Sequence, residues 1–599
     1  MSIPSPRIAG TISCDVVILG AGGAGLRCAA KILESRPEAE ILALTKVVHA
    51  QKSHTSAAQG GLAAVDPSDP EDRIAFHMFD TWKGSDCMAD QNVIQRICRS
   101  SWEEILWLEN RGMHFTRDQD GRLSKRTFGG HTLRFGQGSA YRAVFEADRT
   151  GKGIMDTVWS ESLKRKVTFM AQTMATELII RNGRCLGCVA LDQTRGELLV
   201  FLAGAVVLAT GGSGQLFKVT TNCRQNTGDG LALALAAGLP VMDPEAVQFH
   251  PTGIVGPGIL ASEAIRGEGG ILRNAREEPF MEGYAPRMKD LAPRDLVSRA
   301  IETEIRQGRG IRCPDHGIEH VWIDLRHLSD YAHEVKLREI SGFFKKFANL
   351  DPRRQLCPVR PSNHYHMGGV PTDDLGRVQD ARLRPVAGLY AVGECAAASF
   401  HGFNRLATNS LLELITMGRL VGRTVLEELE GRPSEPPPGA GDPSRRILAG
   451  YLAATGSESP GRIREELRSL MTGKVGIFRT EESLEQALEA IAELKDRAGR
   501  AALTTTGLVF NQELIQRLEL DNLLNLALVV ARAALERRES RGAHYREDYP
   551  ERLAAYDHHT LAGLTQEGRV ELGRRPVEMS LLAAGGEDGR HFDYLQRTY

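Results

Sequence analysis

The stretch Cys14-Asp15-Val16-Val17-Ile18-Leu19-Gly20-Ala21-Gly22-Gly23-Ala24-Gly25 decides the fold. An apolar run of strand length (14–20) leads into G-x-G-x-x-G, made by Gly20, Ala21, Gly22, Gly23, Ala24 and Gly25, and then into a helical pattern over 25–36. A second strand-like run over 39–46 completes a βαβ unit. The glycines permit a tight turn and close backbone approach, while the helix N-terminus faces a pyrophosphate. The acid that usually ends the second strand is absent, because Thr45 and Lys46 stand there. The adenosine ribose must be held differently, and NAD gains no support.

Outward from this unit, short strands over 163–212 end in AVVLATGG (205–212), and GLYAVGE (388–394) follows almost two hundred residues later. Strands of one parallel sheet so far apart predict an insertion, placed at 246–353. The expected class is α/β, a doubly wound Rossmann-like domain split by an inserted α+β capping domain. Its two parts are 1–245 and 354–431. A Pro- and Gly-rich linker (432–445), a helical domain (446–549) and a polar C-terminal segment (550–599) complete the scheme. Leu484, Leu488, Ile491 and Leu494 recur at helix spacing in the helical domain, and 510–537 behaves similarly.

A length of 599 residues, at about 150 per domain, suggests about four domains. Lys plus Arg (74) against Asp plus Glu (76) leaves a net charge of −2, which argues against a nucleic-acid partner. No uncharged apolar run reaches the ~18 residues of a membrane helix; Asn525 and Arg532 interrupt the best candidate, Leu523 to Leu535. The N-terminus has neither a basic-then-apolar leader nor an Arg-rich transit helix, so the chain reads as cytosolic or peripheral. The ten cysteines are scattered, which fits a reducing compartment. Cys185 and Cys188 form a C-x-x-C, but Asn182-Gly183 before them signals a hairpin, so both are expected to pack inside a strand. No metal site is expected, since the histidines show no H-E-x-x-H spacing.

Ser53-His54-Thr55 and Ala58-Gln59-Gly60-Gly61 resemble the flavin-linking segment of complex II flavoproteins, the flavoprotein subunits of succinate dehydrogenase and quinol:fumarate reductase. The likeness continues through His77-Met78, Lys83-Gly84-Ser85-Asp86, Ala209-Thr210-Gly211-Gly212 and Thr227-Gly228-Asp229-Gly230. Gln248-Phe249-His250-Pro251-Thr252-Gly253, Arg266-Gly267-Glu268-Gly269-Gly270 and His364-Tyr365-His366-Met367-Gly368-Gly369 follow. His401-Gly402-Phe403-Asn404-Arg405-Leu406 and Glu539-Ser540-Arg541-Gly542-Ala543-His544 close the series, which spans about 13–550 in order.

The resemblance implies FAD, attached covalently through His54, with Asp229, Glu394, Ser410 and Leu411 among its contacts. Imidazole suits such a bond when it is neutral. Succinate and fumarate carry two carboxylates and no other handle, so their site needs cations and hydroxyls at both ends. By resemblance, His250 and Ser262 hold one carboxylate, His364 and Arg405 the other, and Phe128 packs on the carbons. Ser262 replaces the family's usual threonine, keeping the hydroxyl and losing the methyl. Arg294 is implied as the proton donor to carbon, with Glu263 as its relay and Asp295 as a weaker candidate. His366 and His401 lie beside these motifs and are given no catalytic role.

The nearest rival enzyme is L-aspartate oxidase, which shares the segments around His250, Arg294 and Glu539 but holds FAD noncovalently. His54, Phe128-Gly129-Gly130 and Lys83-Gly84-Ser85-Asp86 favour complex II, whereas Pro293-Arg294 leans the other way. A non-catalytic flavin-binding scaffold is disfavoured because the charged substrate positions are all retained. The chain carries no iron–sulfur ligand set. The resemblance therefore implies an iron–sulfur partner subunit, a cytochrome b-type membrane anchor reached through it, and a place on the cytoplasmic face of a prokaryotic inner membrane.

Overall fold

The structure, a computed structural model, describes residues 6–585 and 589–595. Ile8–Leu19 is the central strand of an eight-stranded sheet, paired in parallel with Ile41–Thr45 on one side and Glu197–Leu208 on the other. Thr168–Ala171 extends the first side, and Pro385–Ala391 the second, both in parallel. The chain therefore changes winding direction next to Ile8–Leu19, which opens a crevice beyond the strand ends at Leu19 and Leu208. Helices Gly23–Ser35 and Asn409–Glu428 pack together on one face. Val16, Ile18, Ala29, Ile32, Ile415 and Val421 belong to the core they share.

The C-x-x-C motif lies where a returning strand was expected. Thr173–Arg181 turns at Asn182 and Gly183, both at positive φ, into Arg184–Asp192. Cys185 and Cys188 are fully buried in that second strand, and burial pushes the Cys185 thiol up to about 12.

The inserted unit is an antiparallel sheet of Val247–Ile254, Cys357–His366, Glu319–Asp324 and Ile271–Arg273, backed by helices Arg294–Glu304 and Arg338–Ala348. Its sheet runs to His366, so the expected boundary at 353 falls short. Cys357–His366 carries Pro358, Pro361 and a polar series, so it shows no apolar run, and the pairing shifts register around Pro361. Asp148 of the first domain fastens this unit: its carboxylate accepts from the backbone N–H groups of Glu339 (2.7 Å) and Ile340 (3.3 Å) at a helix N-terminus. Asp148→Ala removes that cap, at a cost of about 1 kcal/mol. Proteolysis at the junctions near 246 and 366 should then accelerate several-fold without a dicarboxylate and be largely suppressed with one.

The helical domain contains Asp442–Ala453, Pro460–Lys474, Glu481–Arg500 and Gln512–Glu536. The first of these starts inside the stretch expected to be linker, where Gly441 at φ 84 precedes Asp442 and Pro443. Thr480 and Ser483 form a reciprocal cap on Glu481–Arg500, whose Leu484, Ala487, Ile491 and Leu494 are buried. The C-terminal segment is more ordered than its composition suggests. His558–Leu564 and Val570–Pro576 form a hairpin that pairs with Val241–Met242. Beyond it, the Trp82 indole donates to the Asp593 carbonyl at 2.9 Å.

Many histidines are buried and neutral. Burial holds His131 and His366 down at about 4, and His77, His401 and His544 well below the usual value. Their folded pKa lies below the unfolded one, so the unfolded chain binds more protons between the two values. Stability therefore rises with pH across that window and is lost as pH falls from about 6.5 towards 4. The melting temperature should drop by roughly 10 °C or more between pH 7 and pH 5, as calorimetry would show.

Candidate active site

A cavity of about 560 Å³ lies at the strand ends where the winding reverses. It is lined by Gly20, Ala21, Gly22, Gly23, Ala24, Thr45, Lys46, Ser53, His54, Thr55, Gln59, Gly60, Gly61, Asp229, Glu394, Ser410 and Leu411. Phe128, His250, Ser262, Glu263, Arg294, His364 and Arg405 line it too. Of the residues singled out from sequence for cofactor, substrate or catalysis, only Gly25 and the weaker relay candidate Asp295 stand outside the lining. A Cβ on Gly25 would meet the Gly20 carbonyl at 2.6 Å and Ile18 at 3.0 Å, so this glycine lets the helix approach the strand. Gly20 adopts φ 112 and crowds Ala209, whereas a Cβ on Gly22 would meet nothing closer than 3.8 Å. Gly22 thus leaves room at the N-terminus of Gly23–Ser35, where the Gly23 N–H donates to the Thr55 hydroxyl at 3.2 Å.

On the cavity wall the Lys46 ammonium pairs with Asp229 (2.8 Å) and with Glu519 of the helical domain (2.7 Å). Asp229 also accepts from Thr227 (2.7 Å) and Asn522 (3.2 Å). The position that lacks the usual acid is thus tied to the helical domain. Glu394 lies on the cavity wall and accepts from the His366 backbone N–H at 3.1 Å, with burial pushing its pKa up to about 7.

His54 opens a short 3-10 turn, His54–Ala57, on the cavity wall. Burial and then the charge of Arg405 hold its pKa down at about 4, so the ring is neutral. Its Nδ1 lies 3.6 Å from the Cys223 thiol, a neighbour that sequence reading left among the scattered cysteines.

The opposite end of the cavity belongs to the inserted unit. His250 and His364 come from its paired strands Val247–Ile254 and Cys357–His366, with ring centroids 5.1 Å apart. The Thr252 backbone N–H donates to His250 Nδ1 at 3.3 Å, which leaves the proton of the neutral ring on Nε2. Burial and the nearby Arg294 keep His250 well below its usual pKa. Gln59 bridges the Leu260 carbonyl (2.7 Å) and the Ser262 backbone N–H (3.2 Å), setting the Ser262 hydroxyl in place. Thr221 holds His364 Nδ1 at 2.8 Å.

Arg294 begins the helix Arg294–Glu304; its Nε donates to Glu263 at 3.0 Å and its Nη1 to Gln248 at 3.3 Å. Glu263 also accepts from the Gly129 N–H (3.0 Å) and lies 3.7 Å from Arg266. Burial alone would raise the Glu263 pKa, yet Arg294 and Arg266 bring it below the usual carboxylate range. Arg266, buried and reaching the Asp290 carbonyl, sits in a motif already noted but had been given no role. Asp295 is instead engaged by Arg299 at 3.2 Å. Arg405 donates to Ser410 at 2.8 Å and lies over the Tyr365 ring at 4.8 Å. Burial and Arg294 push its guanidinium down to about 9, the signature of a buried cation short of negative charge.

Three buried polar atoms on this wall have no hydrogen-bond partner among the described residues: His250 Nε2, Ser262 Oγ and Arg405 Nε. Buried donors are rarely left idle. Their chemistry fits anionic oxygens, and the glycine turn and neutral His54 fit a flavin dinucleotide.

Residues 15–411 match the FAD binding domain model, and residues 464–599 match the model described as the fumarate reductase flavoprotein C-terminal region. The succinate dehydrogenase flavoprotein subunit of Rickettsia bellii is 42% identical over 579 residues, covering 95% of this chain and 96% of that one. The chain belongs to the succinate dehydrogenase and fumarate reductase flavoprotein family. The fumarate reductase flavoprotein subunit of a Serratia strain is 36% identical, with 96% of each chain covered. A solved E. coli quinol fumarate reductase flavoprotein superposes with a TM-score of 0.89 at 35% identity, covering 95% of this chain and 97% of that one. This complex II flavoprotein is accordingly an FAD-binding oxidoreductase of mixed α/β architecture. No helix among its described residues is long and apolar enough to cross a membrane.

Proposed function

We propose that the chain interconverts succinate and fumarate, with FAD held covalently through His54. One observation carries this reading: two buried guanidinium groups, Arg405 and Arg294, share a cavity wall with idle donors at His250 Nε2 and Ser262 Oγ. A small diacid supplies the two negative charges this wall lacks. Bound FAD supplies the hydride acceptor and donor at N5.

The protein's own residues do the rest. His250 and Ser262 donate to one carboxylate; Arg405 and His364 take the other, and Phe128 closes on the carbons between. Such two-ended gripping fixes the reacting carbon, which is where much of the rate enhancement arises. Arg294 passes a proton to carbon in fumarate reduction and, in succinate oxidation, receives one from carbon as it hands its own proton to Glu263. An arginine stays protonated at equilibrium, so the transfer must be transient and refilled. Glu263, bonded to Arg294 and close to Arg266, is the refilling carboxylate.

Electrons then leave through an iron–sulfur subunit to a membrane anchor and quinone, with this chain peripheral on the cytoplasmic face of a prokaryotic membrane. The names of its relatives, succinate dehydrogenase and fumarate reductase flavoprotein subunits, support its working as one subunit among partners. Purified protein mixed with an artificial electron acceptor tests the reading: succinate should reduce the acceptor and aspartate should not. Acceptor reduction with aspartate alone would favour an amino-acid oxidase.

A further inference from the structure

A second cavity, of about 670 Å³, abuts the first and lies where the sheet domain, the inserted unit and the helical domain meet. Six cations line it: Lys46, Lys218, Arg224, Arg360, Arg464 and Arg468. Only two carboxylates oppose them, and both are already spent. Glu519 pairs with Lys46 (2.7 Å) and Arg464 (2.9 Å), and Glu465 pairs with Arg468 (2.6 Å). Arg360 is met by Glu302 from outside the cavity, at 3.3 Å. Lys218 and Arg224 are exposed, and no described residue forms an ion pair or hydrogen bond with the Lys218 ammonium or the Arg224 guanidinium. Two helices also begin at this cavity, Pro460–Lys474 at Gly461 and Gln512–Glu536 at Gln512. The first has no side-chain cap, so its first-turn N–H groups add positive potential. Cations gathered against low-dielectric walls focus a field that concentrates small anions.

The partition between the cavities is the loop 218–226. Lys218 and Arg224 line the second cavity, while Thr221 and Asn222 reach across to His364, at its Nδ1 (2.8 Å) and its carbonyl (2.8 Å). We infer that the second cavity binds a small di- or tricarboxylate anion outside the flavin cavity, on the far side of the loop that positions His364. The inference goes beyond the proposed catalytic reading and rests on it only for the identity of the anion as a substrate.

Calorimetric titration of the FAD-loaded protein with fumarate tests it. Two binding events are expected: one in the flavin cavity, and a weaker one that inorganic phosphate does not reproduce. In the double variant Lys218→Glu/Arg224→Glu the weaker event should fall at least ten-fold in affinity, while the stronger event, FAD retention and kcat stay unchanged. Absence of the weaker event, a weaker event untouched by the charge reversal, or one that phosphate reproduces equally well would overturn the inference. Loss of the stronger event with the weaker one intact would instead remove the catalytic reading and leave this one standing. Two arms then separate the sources of the anion. A kcat/KM that falls with the charge reversal at low salt, and converges on the parent value at high salt, marks substrate in transit. A kcat/KM unchanged at all salt concentrations, with citrate filling the weaker site, marks a resident anion.

Discussion

Arg294→Gln should cripple succinate–fumarate turnover in both directions, lowering kcat by roughly 10²- to 10⁴-fold, the range for removal of a general acid–base group. The glutamine keeps a donor beside Glu263 but has no proton to give carbon. Fumarate should still bind, because His250, Ser262, His364 and Arg405 remain, so KM should move by less than about ten-fold. That split between kcat and KM separates a lost proton donor from a collapsed site. Glu263→Gln, which interrupts refilling and leaves Arg294 in place, should cost about 10²-fold and alter the pH profile of kcat. Equal losses in KM for both variants would assign the pair to substrate binding.

His54→Ala should release the cofactor from its tether without emptying the cavity. The glycine turn, Glu394 and the N-terminal end of Asn409–Glu428 all remain on the wall. After acid denaturation, FAD fluorescence should stay with the parent polypeptide and wash away from the variant. Family resemblance implies that the linkage raises the flavin potential, and succinate is a weak reductant. Succinate oxidation should therefore suffer more than fumarate reduction; a loss of about 60 mV would shift the two-electron equilibrium by about a hundred-fold. FAD retained by the acid-treated variant would place the bond elsewhere.

The βαβ unit was legible because buried parallel strands are apolar throughout and the glycine turn has one geometry. The hairpin at Asn182-Gly183 was legible for the same local reason. Cys357–His366 escaped notice because its prolines and polar residues hide a strand that is held by its neighbours and not by its own pattern. The tail hairpin escaped likewise, since it earns its order by pairing with Val241–Met242, over three hundred residues away in sequence. Every substrate residue singled out converges on one cavity, but most of the partners that tune them were invisible in one dimension. Arg266 beside Glu263 is an i,i+3 neighbour within reach of sequence reading, but Cys223 beside His54, Glu519 on Lys46 and Gln248 on Arg294 are long-range contacts. Spacing along a chain carries no signal for such pairs.

Anaerobic titration of the FAD-loaded protein, followed by its visible absorption, tests the central claim most directly. Succinate should bleach the yellow flavin, fumarate should then restore it, and aspartate should do neither. A flavin that stays yellow with succinate, or that bleaches with aspartate alone, would contradict a cavity built to carry a four-carbon diacid against its cofactor.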